Sequence, residues 1–133
     1  MEEIKDNDIL LARIIRKAEI KEGLSFFSDE NEFIQVGTWN HNEGKESKAH
    51  IHNEVERTAT KTNEVWYIIS GSLLVWLYNE KKEFIRGGVL SEGDMIILLN
   101  GGHQYYIRED ATKVLEVKNG PYLGPTIDRR QFR

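Results

Sequence analysis

The sequence predicts an all-β protein of the jelly-roll class, and three observations lead to that prediction. First, 133 residues suit one compact domain, which we take to span residues 1–133. Second, short segments rich in β-branched and aromatic residues recur at intervals of about ten residues. Third, clusters of Gly, Asn, Asp and Ser separate those segments, as turns separate strands. Helical periodicity is weak along the whole chain, so a helix-rich fold is disfavoured.

Each strand is predicted from its own apolar segment. The first segment has some helical spacing but also reads as a strand, and turn signals separate most of the later ones. In chain order, the predicted strands are 9–16, 32–39, 48–55, 64–70, 73–79, 83–90, 94–99, 103–108 and 113–118. The turn signals lie at 28–31, 40–44, 71–72, 79–82, 92–94 and 100–102. So many short strands must hide their edges, and their irregular turns favour a two-sheet jelly roll over an even barrel.

Composition excludes several classes of protein. The chain has no cysteine, so disulfides, thiolate metal sites and cysteine nucleophiles are excluded. Its net charge of -4, with Lys and Arg scattered among acids, gives no basic stripe for nucleic acid. The longest apolar run, 73–78, is far shorter than the roughly 20 residues that cross a bilayer. The acidic start, MEEIKDND, lacks the features of a secretory signal. We therefore expect a cytoplasmic protein that binds neither nucleic acid nor membrane.

Two histidines form the strongest candidate site. On a strand over 48–55, His50 and His52 lie on one face, because side chains alternate. Such a pair by itself is more often solvated than metal-bound, but Glu64 and His103 begin later strands and can converge on the same cavity. Three imidazoles and one carboxylate suit Fe, Mn, Ni, Zn or Cu. We therefore predict a divalent metal ion held by His50, His52, Glu64 and His103.

The first of these segments resembles the first motif of the cupin superfamily. That motif runs Gly, five residues, His-x-His, a short gap, Glu, six residues, Gly. Here Gly44 precedes His50 and His52 by that spacing, and Glu64 precedes Gly71 by six residues. Both halves of the motif therefore match.

The gap between the two halves is longer than the family's three or four residues. Eleven residues, 53–63, stand between them. If they bulge out as a loop, Glu64 keeps the ligand position beside the histidines. If they extend a regular hairpin, Trp66 takes that place. Glu56, which has the family's His-to-Glu spacing, is then the substitute ligand.

The second cupin motif is matched in part. It runs Gly, five residues, Pro-x-Gly, two residues, His, three residues, Asn. Gly93 begins it here, Leu99 stands at the proline, Gly101 precedes His103 by one residue fewer, and Ile107 replaces the asparagine. The two motifs cover about residues 44–71 and 93–107. The resemblance implies the cupin double-stranded β-helix, a jelly-roll barrel, with a divalent metal at its mouth.

A narrower resemblance is to small nucleotide-sugar ketoisomerases of the cupin class. They carry a His-x-His strand and a tail with Tyr and Asp, to which the C-terminal tail 119–133 is loosely similar. This resemblance implies acid/base chemistry on a keto-sugar by His50 or His52, with no metal required. Tyr105 joins them as a catalytic candidate, and with Trp66 it is the best candidate for a ring that lines the cavity.

The last strand can face either way. We expect Leu115 and Val117 to point inward and Glu116 and Lys118 to be solvated, because unpaired buried charges are costly. In the reverse arrangement, Glu116 becomes a spare acid near the cavity.

The expected function is isomerisation or epimerisation of a small polar molecule, a carbohydrate or nucleotide sugar. The first alternative is a non-haem iron dioxygenase with the same ligands. The second is a non-catalytic binding or sensing module. We also expect a homodimer, in which a segment such as 9–15 adds to the neighbour's sheet.

Overall fold

The computed structural model describes residues 1–132, most of which form or connect antiparallel β-strands. The strands are β1 (Glu2–Asp6), β2 (Ile9–Ile15), β3 (Gly23–Phe26), β4 (Gly37–Asn40), β5 (Glu64–Ser70), β6 (Ser72–Tyr78), β7 (Phe84–Ser91), β8 (Met95–Leu98), β9 (Gly102–Ile107) and β10 (Lys113–Lys118). The helical elements of this part are a 3-10 turn at Lys17–Glu19 and a four-residue helix, α1, at Pro125–Asp128. The predicted all-β class is therefore confirmed.

The strands form two facing sheets and a separate hairpin. Five strands make one sheet in the order β1-β2-β8-β5-β10, three make a second in the order β7-β6-β9, and β3 pairs with β4. Between the two larger sheets, Trp66 and Ile68 from β5 and Ile96 from β8 pack with Leu73 and Val75 from β6. Side chains alternate along each strand, so one face of each sheet supplies this core.

The opposite face of the five-stranded sheet is partly covered by segment 27–36. Ile15, Val65 and Ile97 point to this face and pack with Ile34 of the segment in a second buried cluster. The sheet is therefore buried on both sides at its β2 and β8 strands, which explains their nearly continuous apolar sequences.

Arg13 fastens this covering segment to the sheet. Its side chain is only 2% exposed, and its guanidinium lies 3.2 Å from Glu3, 3.1 Å from Asp29 and 2.6 Å from Glu32. A buried guanidinium needs such partners, because an unpaired buried charge is strongly destabilising. Asp29 and Glu32 belong to the segment, so these ion pairs hold it in place.

Seven of the nine predicted strands form with bounds within one residue of the prediction. The prediction of a strand at 48–55 is wrong, because this stretch has no strand structure and Ile51 is 93% exposed. Of 32–39, only the end becomes β4. Strands β1 and β3 were not predicted. Strand β1 has the sequence EEIKD and buries only Ile4, so it carries little apolar signal.

The sandwich is open along one side. Strand β7 lies by β1, through an ion pair between Arg86 and Glu2, and β9 lies by β5, through His103 and Glu64. The outermost strands on that second side, β9 and β10, are each paired with one neighbour within residues 1–132. Every residue of 41–62 is exposed. In the described chain, no helix is long and apolar enough to span a membrane.

Candidate functional site

Glu64 is the centre of a polar cluster at the open side of the sandwich. It begins β5 and is 9% exposed. Its Oε2 accepts a hydrogen bond from Trp66 Nε1 at 3.0 Å and lies 3.4 Å from His103 Nε2. Its Oε1 accepts a hydrogen bond from Lys118 Nζ at 3.2 Å. Both carboxylate oxygens are therefore engaged, which a buried carboxylate requires.

Strand register explains why these residues meet. In the β5–β10 ladder, Glu64 is paired with Lys118, and Trp66 is paired with Glu116. Trp66 shares the face of Glu64 because the two are separated by one residue. His103 comes from β9 in the opposite sheet, so its contact with Glu64 joins the two layers.

The surroundings of Glu64 keep it ionised. Burial alone would raise the pKa of its carboxyl, because a charge loses hydration when it is buried. The hydrogen bond and charge of His103, followed by those of Lys118, outweigh burial and lower the pKa from 4.5 to about 2. Glu64 is therefore a carboxylate at neutral pH, too weak a base to take a proton from carbon and well suited to orient a neighbouring imidazole.

Lys118 bridges two carboxylates. Its Nζ lies 2.8 Å from Glu116 Oε1 as well as 3.2 Å from Glu64, and it lies 5.9 Å from the centre of the Tyr122 ring in the tail. The hydrogen bond to Glu116 raises the pKa of the ammonium; partial burial opposes this, and Glu64 raises it further. Lys118 is thus fixed as a cation.

The expected orientation of β10 is wrong. Leu115 and Val117 point outward, 51% and 47% exposed, whereas Val114 packs on the core between the sheets. Lys118 and Glu116 share the inward face of Val114. The cost of placing charges there is offset because Glu64 on the next strand pairs with Lys118.

Aromatic rings line the cluster. The Trp66 ring meets the rings of His103 and Tyr105 edge to face, with centroids 5.2 and 5.7 Å apart. Tyr105 lies two residues after His103 on β9, so it shares the same face, and its side chain is largely exposed. The Trp66 ring is buried behind the polar groups and Tyr105 lies beside them, so their role as rings that line a cavity stays a prediction.

His50 and His52 lie elsewhere, in the exposed stretch before β5. Their ring centroids are 5.2 Å apart, and His50 Nδ1 contacts the carbonyl oxygen of Lys48 at 3.0 Å. The alternative ligand, Glu56, is exposed in the same stretch. Of the four predicted metal ligands, the structure thus brings together Glu64 and His103.

The implied divalent metal does not fit this arrangement of residues. Within residues 1–132, no three His, Asp or Glu side chains are grouped so that they could hold a metal ion. The Glu64 oxygen that is not turned to His103 is bound by the ammonium of Lys118. The four-ligand site therefore stays a prediction, and the chemistry below is derived from the groups that are in contact.

Lys118 was not assigned to this site from the sequence, and Glu116 was placed there only in the alternative arrangement of the last strand. Glu116 and Lys118 are two residues apart, so they share one face of β10, and the neighbouring strand β5 begins with Glu64. This spacing is the sequence feature that could have indicated the contact. An acid and a base on paired strands attract each other when they face the same way. Strand pairing was needed to use this signal, and no local pattern contains it.

Comparisons with known proteins identify no relative: no protein-family model matches the chain, and no curated protein or solved structure is significantly similar to it. The resemblance to the cupin superfamily therefore stays a prediction.

Proposed function

We propose that this protein is a small cupin-like jelly roll that isomerises or epimerises a carbohydrate, by moving a proton on the carbon next to a carbonyl group. The observation that carries the proposal is the pairing of His103 with the ionised Glu64, 3.4 Å apart, beside the Lys118 ammonium. Removal of such a proton needs a base near neutral pH and a cation or hydrogen-bond donor at the carbonyl oxygen.

His103 supplies the base. Its Nε2 faces Glu64 at 3.4 Å, so Nδ1 is the ring nitrogen that we assign to the substrate. A carboxylate at one ring nitrogen fixes the tautomer that leaves the other nitrogen able to accept a proton, and it stabilises the imidazolium that forms. The hydroxyl proton on the deprotonated carbon then passes to the enolate oxygen, and the imidazolium returns its own proton to the former carbonyl carbon, which completes an isomerisation without net gain or loss of protons.

Lys118 supplies the positive charge. An ammonium has three N–H groups, and two of them are directed to Glu64 and Glu116. The third is available to a substrate carbonyl, whose oxygen becomes negative when the proton leaves the adjacent carbon. A fixed cation in this half-buried cluster stabilises that enolate more than the neutral substrate, which is what lowers a barrier.

Tyr105 provides a surface on which a sugar can lie, and the buried Trp66 ring packs against it. The exposed Tyr105 ring has an apolar face for the C–H groups of a sugar, and its hydroxyl can donate to a ring oxygen or hydroxyl. The side chains of His103 and Lys118 are 33% and 28% exposed, so a substrate can contact both from solvent.

Deuterium incorporation from D2O, followed by proton NMR, tests the proposal. The probes are D-fructose, D-xylulose and a nucleotide-linked 4-keto-6-deoxyhexose. With the active probe, His103→Asn should lower the exchange rate by at least about 100-fold, the usual contribution of a general base. His41→Asn, at an exposed turn, is the matched control and should exchange like the native protein.

A double variant, His50→Asn with His52→Asn, separates this mechanism from the one that the sequence predicts. It should keep native exchange if His103 is the base, and lose it if the exposed pair takes part. Binding of a probe without any exchange would instead favour a non-catalytic binding module, and iron-dependent oxygen uptake would favour a dioxygenase.

A further inference from the structure

Lys118 stands where a bound cation would stand. Its Nζ lies between carboxylate oxygens of Glu116 and Glu64, at 2.8 and 3.2 Å, while the second oxygen of Glu64 faces His103. Two carboxylates and an imidazole are donors that divalent ions use in proteins. In this chain an ammonium, carried by the neighbouring strand, is already placed among them.

The ammonium also sets the spacing of these donors. A zinc or similar ion needs oxygen and nitrogen ligands at about 2.0–2.2 Å. The distances from Nζ to the two carboxylates are longer, so Lys118 keeps Glu64 and Glu116 further apart than a metal would. This spacing accounts for the finding that no side chains of residues 1–132 are grouped for a metal ion. A metal ion brought to Glu64 would also meet the positive charge of Lys118.

Lys118 is held in place from several directions. Strand pairing with Glu64 fixes its backbone, and Val114, on the same face of β10, is packed on the core. The Tyr122 ring lies 5.9 Å from Nζ, near enough for a cation–π contact. The ammonium is therefore a built part of the site.

We propose that the Lys118 ammonium is the resident cation of this site and excludes a divalent metal ion from Glu64. The inference rests on the proposed function, because it names the group that polarises the substrate at the same site. It also defines the substrate class. Glu64, Glu116 and Lys118 together carry a formal charge of -1, so the reacting end of the substrate should be an uncharged hydroxy-carbonyl group rather than a phosphate or carboxylate.

Metal binding tests this proposal without any measurement of activity. All proteins carry His50→Asn and His52→Asn, so that the exposed histidine pair cannot bind the probe. Zn²⁺ binding is measured by calorimetry, and bound zinc is counted by elemental analysis after dialysis. Lys118→Met removes the cation and keeps an apolar side chain of similar length, Lys118→Arg keeps the charge, and Lys113→Met at the other end of β10 is the matched control. Adding Glu64→Gln to Lys118→Met tests whether Glu64 holds any zinc gained.

We expect the protein to gain a zinc-binding site when the Lys118 ammonium is removed. Lys118→Met should bind Zn²⁺ at least about tenfold more tightly than the parent, a difference of about 1.4 kcal/mol. The arginine variant and the Lys113 control should bind like the parent, and the added Glu64→Gln change should abolish the gain. One equivalent of zinc on the parent that is lost with Glu64→Gln would overturn the proposal, as would a folded Lys118→Met variant with no gain.

Two further measurements keep this test decisive. If circular dichroism shows that Lys118→Met does not fold, Lys118→Gln replaces it, and zinc on the parent still decides by itself. Deuterium exchange in the presence of EDTA separates the two proposals. Exchange that survives EDTA supports both the proposed function and the role of Lys118 as resident cation. Loss of exchange in EDTA overturns that role of Lys118. Lack of exchange in every condition overturns the proposed function, whereas the zinc-binding result still tests the role of Lys118.

Discussion

Glu64 and Lys118 are register partners on β5 and β10, and their side chains meet 3.2 Å apart on the inward face of the sheet. The contact joins the first residue of one strand to the last residue of the next. Antiparallel pairing puts these two residues at the same end of the ladder, so the contact depends on this register, and a slip of one residue would turn Lys118 to the opposite face.

Acid stability should depend on Glu64. Its pKa is lowered to about 2, so its contribution to stability is complete above the unfolded value of 4.5 and is lost as the pH falls toward 2. The shift corresponds to about 3 kcal/mol. Groups facing the carboxylate are His103, Lys118 and Trp66, so the effect requires the assembled cluster.

Urea unfolding between pH 2 and pH 6 measures this contribution. Glu64→Gln should be less stable than the native protein at pH 6 and should lose less stability on acidification. Glu43→Gln, at an exposed turn, should follow the native curve. Parallel pH profiles for native protein and Glu64→Gln would show that the carboxylate is not stabilised as described.

Trp66→Phe should destabilise the fold through the lost indole N–H. The indole is buried and donates to Glu64 Oε2 at 3.0 Å. A hydrogen bond to a charged group contributes about 1.5–3 kcal/mol, so we expect a loss of about 2 kcal/mol. Trp39→Phe on the exposed face of β4 is the control and should change the free energy of unfolding by less than about 0.5 kcal/mol. Equal effects of the two substitutions would contradict this role of the indole.

Arg13→Met should loosen segment 27–36 as well as lower stability. Removal of the guanidinium leaves Glu32, the least exposed of its three partners, without its ion pair, whereas Glu3 and Asp29 can be hydrated, so we expect a loss of about 1–3 kcal/mol. Hydrogen exchange should rise first in the segment. The control is Arg86→Met, whose half-exposed ion pair with Glu2 should contribute less than about 1 kcal/mol. Unchanged exchange in 27–36 would show that the segment is held by its apolar contacts alone.

Gly101→Ala should disturb the start of β9. Gly101 has φ 72°, and a Cβ there would lie 2.1 Å from the carbonyl oxygen of Tyr78. The substitution therefore adds a clash to the left-handed strain of about 1–2 kcal/mol. Gly44→Ala also introduces a side chain at positive φ, 86°, with no atom within 4 Å of the added Cβ. Thermal melts should show a clearly larger loss for Gly101→Ala, and equal losses would contradict the clash.

Much of the sandwich was predictable, because its strands carry their signal locally. In β5 and β8, β-branched and aromatic side chains are continuous and bounded by turn residues, so both position and type follow from the sequence. In the stretch 48–55, by contrast, polar and apolar side chains alternate, and few apolar side chains are available to bury. Alternation permits a strand there without requiring one, since a strand also needs a partner edge.

The site was predictable in part for the same reason. Glu64 and His103 stand at strand ends, where turn signals locate them, and the structure brings them together. The predicted orientation of β10 was wrong because the free-energy cost of burying Glu116 and Lys118 was considered without Glu64, the partner of Lys118. Only the pairing of Lys118 with Glu64 reverses that cost, and pairing between strands so far apart in sequence is a property of the whole fold.

The exposure of every residue in 41–60 has a consequence for how this chain can diversify. A stretch that supplies nothing to either buried cluster can be lengthened, shortened or replaced while the paired strands keep their registers. Reporter peptides or dyes placed there should leave the contacts of Glu64, His103 and Lys118 unchanged. The exposed stretch can therefore vary while the Glu64 cluster and the paired strands are preserved.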